Sequence, residues 1–173
     1  MLFRSVTLNV PSQITAHSLS VVAQNSSNLG TNVDLLAATI LQSGETLTVV
    51  EADDIAIGPG NVVTNAGDLS ITATGSISGA GVINAGTGNV TLVSYQSISL
   101  NQVAGQVRGT KLDAQAFGTA PNGTVSANTS VDQLTALASG GSVIVNETDD
   151  LTVVANGLIA ATGGNIAVSA AGN

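Results

Sequence analysis

The chain has 173 residues and a formal net charge of −8, with three basic side chains against eleven acidic ones. Hydrophobic residues make up 43%, yet aromatics are only 2% and charged residues 8%, where an ordinary globular chain carries about 25% charged. That inventory leaves no footprint for nucleic acid or an anionic membrane, and the absence of cysteine excludes disulfides and thiolate metal sites.

The first residues, Met1 to Ser5, carry one charge and no apolar segment of signal-peptide length. The chain is therefore expected either to be intracellular or, the favoured reading, to be a piece of something larger. A mean hydropathy above zero raises the question of membrane insertion. The longest strictly apolar runs, 35–38 and 158–161, fall far short of the roughly 20 residues a spanning helix needs. The aromatic girdles of a membrane barrel are missing as well. Abundant Val, Ile, Leu and Ala with little Pro argue against disorder.

In chain order, Asn32 to Leu41 is ambiguous between helix and strand. Thereafter the pattern is short period-two strands. Leu47 and Val49 alternate with Thr46 and Thr48, and Leu69 and Ile71 with Ser70 and Thr72. Ser76–Ser78 adds a second short strand. Val90 and Leu92 flank Thr91, followed by Ser97–Leu100. The rhythm breaks over 101–123, then resumes with Val143/Val145 and Ile166/Val168.

These strands belong to a repeat reading Gly, polar residue, apolar, small, apolar. It occurs at Gly67, Gly88, Gly141 and Gly164, with spacings of 21 residues in the first pair and 23 in the second. A longer repeat lies above it. The segment 32–57 matches 130–153, and its two Glu-x-Asp-Asp motifs, at Glu51 and Glu147, are 96 residues apart. Ser5–Val10 matches Asn89–Ser94 in the same way. A β-rich period near 20 predicts an all-β fold, a parallel β-helix or β-solenoid. At about 21 to 24 residues per coil, the 173 residues form a single domain of about seven or eight coils. A thin core explains the aromatic poverty, and Gly and Asn are expected at corners that need φ > 0.

The Gly-Asn-Val-Thr-Leu unit, the segment 67–77 and the Val-Asp-Gln-Leu-Thr-Ala block at 131–136 resemble repeats of giant bacterial secreted proteins. These are the filamentous-haemagglutinin-like and autotransporter-type β-helix proteins. The resemblance covers most of the chain outside 101–123. It implies a right-handed coil on the bacterial cell surface or in the extracellular matrix. Neither a secretion signal nor a translocator barrel is present, which agrees with a fragment of an exported protein.

The acidic clusters Glu51, Asp53, Asp54 and Glu147, Asp149, Asp150 read first as solvated corners. Ca²⁺ binding by crowded carboxylates is the alternative, although neither the EF-hand pattern nor the calcium nonapeptide occurs. No other cofactor is expected. His17, the single histidine, reads as solvent-facing. Arg108, Lys111 and Phe117 fall in the irregular loop or coil 101–123, the segment expected to carry any ligand site. Five Asn-x-Ser/Thr sequons occur, in a composition where chance matches are frequent.

No catalytic residues are expected. The leading expectation is a structural segment of a surface or matrix protein, an adhesin stalk or fibre subunit. It would self-associate end to end through open strand edges. The alternative is an adhesin module binding a glycan or a host protein. A β-helix enzyme acting on polysaccharide is the third reading, with the poorest residue inventory behind it.

Overall fold

The computed structural model describes residues 2–4, 13–161 and 163–172. Ser5–Val10, matched by sequence to Asn89–Ser94, lies outside the described residues. Among those described there are fifteen strands and no helix. In chain order they are β1 (Leu2–Phe3), β2 (Ile14–Ala23), β3 (Ser27–Ile40), β4 (Leu47–Glu51), β5 (Ile55–Thr64), β6 (Leu69–Ala73), β7 (Ile77–Gly79) and β8 (Ile83–Asn84). They continue with β9 (Asn89–Ser94), β10 (Ile98–Leu100), β11 (Val107–Ala116), β12 (Val125–Ala138), β13 (Val143–Glu147), β14 (Thr152–Ala160) and β15 (Ile166–Ala170). The ambiguous stretch 32–41 falls almost wholly in β3. Its residues alternate between inside and outside as on a pleated surface, with one change of phase at Asp34–Leu35.

Every strand pair is parallel, and all strands join one continuous sheet that spirals. Following one column of register partners shows the coil. Ser27 pairs with Leu47, Leu47 with Leu69, Leu69 with Val90, Val90 with Leu112, and Leu112 with Leu134. One further step leads to β14. The described residues therefore make a β-solenoid of about six coils, fewer than the seven or eight expected. One coil is enlarged, with 27 residues between the register partners Ile98 and Val125. Part of the chain also lies outside the described residues.

Alternate side chains point inward and stack coil on coil, about 4.8 Å apart. Leu47, Leu69, Val90, Leu112 and Leu134 form one inward column; Ile55, Ile77, Ile98, Val125 and Val143 form another. Each is fully buried, and each such side chain contributes roughly 1.5–3 kcal/mol. Similar aliphatic shapes stacked in register fill the thin core without aromatics.

The repeat glycines serve a different purpose from the one expected. Gly67, Gly88 and Gly164 do not have positive φ. A Cβ at Gly67 would run into the Glu45 carbonyl one coil below, and one at Gly88 into the Gly67 carbonyl. At these three positions the requirement is absence of a side chain, while the left-handed torsion expected at corners is found beside them, at Gly44, Ala66, Gly86 and Gly163.

The long repeat is also structural. Strands β3 and β12 have 14 residues each, and Thr31, Val33, Leu36 and Ala38 recur as Thr129, Val131, Leu134 and Ala136. Both strands break register with their following partner at the same place, between Leu36 and Ala38 and between Leu134 and Ala136. The repeat does not close on whole coils. Ser27 shares its column with Leu112 and Leu134, whereas its equivalent, Val125, stacks between Ile98 and Val143. Equivalent residues of successive blocks thus occupy different sides of the solenoid.

Candidate functional site

The segment 101–123 is a coil rather than a loop cut free of the solenoid. Val107–Ala116 is strand β11, bonded to β8 and then β9 on one side and to β12 on the other, with a corner between Arg108 and Lys111. The irregular parts are the flanks, where Gln106 donates from its buried amide to the carbonyls of Gly79 and Gly81.

Outward residues of β4, β6, β9 and β11 build one lateral face. Its first column runs Thr46, Asp68, Asn89, Lys111. The second runs Thr48, Ser70, Thr91, Asp113, in strict register. The third reads Val50, Thr72, Val93, Gln115, so no Thr-x-Thr rank forms. A shallow groove of about 410 Å³ crosses the first two columns, lined among others by Thr48, Asp68, Ser70, Asn89, Thr91 and Lys111. Asp68 Oδ1 accepts the Asn89 amide N–H at 2.8 Å and its side-chain N–H at 3.1 Å.

The three residues expected to bind ligand do not converge. Lys111 lines the groove. Phe117 lies just beyond the far end of the same strand, about 20 Å along it. Arg108 lies across the corner from Lys111, with its Nε donating to the Gly105 carbonyl at 2.7 Å. Phe117 does not pack over the core. It is exposed and pairs with Tyr95 of the preceding coil, ring centroids 5.9 Å apart and planes tilted by 39°. Tyr95 was not singled out from the sequence. The signal was available: the two aromatics are 22 residues apart, one coil length.

The acidic clusters divide into inward and outward members, which corrects their reading as wholly solvated corners. Glu51 and Glu147 are buried. Both Glu51 oxygens lie 3.2 Å from the Val33 N–H, and the Ala52 N–H donates to Oε1 at 2.9 Å. Glu147 repeats this with Val131 N–H at 3.0 Å and Thr148 N–H at 2.7 Å. The inward phase of the strand sends the glutamate inside, where it answers corner N–H groups that no strand can reach. Burial pushes the Glu51 carboxyl above the ordinary carboxylate range, against the pull of its hydrogen-bond donors. Asp53, Asp54, Asp149 and Asp150 are exposed. Asp54 accepts the Ser76 N–H at 2.6 Å, and Asp149 the Ser130 hydroxyl at 3.2 Å. Among the described residues, no group of three or more His, Asp or Glu is placed to hold a metal ion.

His17 is exposed, and its Nδ1 lies 2.6 Å from Asp34 Oδ2 on the next coil. Such a surface pair contributes little. No family model, curated protein or solved structure matches the chain.

Proposed function

We propose that the chain is a structural β-solenoid segment of a bacterial cell-surface or extracellular-matrix protein, stacking end to end through an open coil edge. The repeat resemblance supports the setting. One observation carries the stacking. Ile55, Ile77, Ile98, Val125 and Val143 form an inward column with at most 1% exposure, and Ile166 continues that column at 50%. Strand β15 pairs with β13 on one side and with no described strand on the other. Val153 in β14, which continues the inward column of Leu112 and Leu134, is likewise 41% exposed. A core residue left half in water beside unpaired backbone groups is a template for one more coil. A second copy of the chain supplies it.

Analytical ultracentrifugation and negative-stain microscopy over a concentration series test this. The expected result is end-to-end rods, abolished by Ile166→Lys, which places a charge on the open end and disturbs no closed coil. A monomer at every concentration, or rods unaffected by Ile166→Lys, overturns the stacking.

A further inference from the structure

We propose that the Tyr95–Phe117 pair and the recess beside it form a binding site for a neutral, pyranose-based oligosaccharide. The site lies on the side of the solenoid and is independent of end stacking. In a chain with three aromatic residues, two stand on adjoining coils, 57% and 41% exposed, with ring centroids 5.9 Å apart. Neither serves the core, because the inward positions beside them belong to Ser94 and Ala116. Exposed rings of this size are a liability unless something covers them.

The register places Thr74 in the same column, one coil before Tyr95. Thr74 opens onto a recess of about 220 Å³ that is also lined by Asp53, Asp54 and Gln96. Gln96 Oε1 faces the Ser76 hydroxyl at 3.4 Å, which leaves the two N–H donors of its amide directed elsewhere. Asp53 presents an exposed carboxylate, an acceptor. The site thus offers flat apolar surface beside paired donors and acceptors. A pyranose has the matching character: an apolar C–H face and a rim of hydroxyls.

Charge and shape narrow the ligand. The ionisable groups of the recess are both acidic, and Lys111 lies about 20 Å from Phe117 along β11, so an anionic glycan meets repulsion. An organic cation is favoured by aromatic rings that enclose it. Here the two rings lie side by side on an open face, a platform for an elongated ligand.

Tyr95 is the single tyrosine and there is no tryptophan, so tyrosine emission reports on this site alone. The full chain is titrated separately with cellohexaose, chitohexaose, hexagalacturonate and tetramethylammonium. The expected result is a saturable change with a neutral hexasaccharide. Phe117→Ala and Gln96→Ala weaken it about tenfold, while Arg108→Ala does not. Tyr95→Ala, followed by calorimetry, loses the binding as well, and circular dichroism confirms that each variant is folded. No saturable change with either neutral sugar overturns the proposal. So does an equal or stronger response to hexagalacturonate or tetramethylammonium, and so does affinity unchanged in Phe117→Ala.

Discussion

Glu51 reaches back one coil to the backbone N–H of Val33, with both carboxylate oxygens 3.2 Å from the nitrogen. Glu147 makes the same contact to Val131 at 3.0 Å. Each carboxylate replaces the strand partner that the corner lacks. Truncation leaves buried donors without an acceptor, at about 1–3 kcal/mol for each unsatisfied group. Glu51→Ala and Glu147→Ala are therefore expected to destabilise the fold by at least that amount. Denaturant midpoints at neutral pH check this. Unchanged midpoints would show that water reaches these corners.

The two glutamates with shifted titration act in opposite directions with pH. The Glu51 carboxyl is raised by burial, so the pH-dependent part of its contribution is complete below the unfolded value of about 4.3 and is lost as pH rises through the higher folded value, while the hydrogen bonds it accepts from Val33 and Ala52 persist. Glu45 is lowered by hydrogen bonds from the Ser26 hydroxyl and N–H. Its contribution is present above the unfolded value and is lost as pH falls through the lower folded one. Unfolding midpoints from about pH 3 to about pH 8 should show that Glu51→Gln removes a decline with rising pH. Glu45→Gln should remove a decline with falling pH.

Gly67→Ala and Gly88→Ala test the stacked corner. The added methyl meets a carbonyl of the coil below, which cannot swing away as a side chain does. A cost of about 1–3 kcal/mol or more is expected. Gly44 has open space around it and φ +79°, so Gly44→Ala should cost only the torsional penalty of about 1–2 kcal/mol. Equal losses at Gly44 and Gly67 would mean that close approach is not what the repeat glycines provide.

Thr31 and Thr129 are equivalent and both buried, but they are bonded differently. The Thr31 hydroxyl donates to the Val50 carbonyl at 3.5 Å, whereas Thr129 Oγ1 has no partner. Thr129→Val should be neutral or stabilising by about 1 kcal/mol, because it removes an orphan polar atom. Thr31→Val should destabilise. Thermal melts of the two variants side by side distinguish these outcomes.

Ile98 and Ile166 occupy one column with exposures of 0% and 50%. Ile98→Ala should cost about 2–5 kcal/mol, as large-to-small changes do inside a packed core. Ile166→Ala should cost less than half of that in dilute solution, where no further coil covers it. Denaturant unfolding at low protein concentration gives both values.

Parallel β-solenoid architecture was legible in the residues themselves. Period-two apolar strands, a recurrence near 22 residues and a shortage of aromatics admit few other folds, since only a thin stacked core uses small aliphatics in register. The 96–98 residue block was legible too, as a match between segments. Its consequence was not, because whether a block holds a whole number of coils depends on where each corner falls. Only the assembled coil decided that Glu51 and Glu147 face inward, since the phase of a strand relative to the core is fixed by its neighbours. The same holds for Lys111 and Phe117, close in sequence and distant on the face, and for Tyr95 and Phe117, distant in sequence and side by side. Sequence determines which residues alternate and repeat; register between coils determines which of them meet.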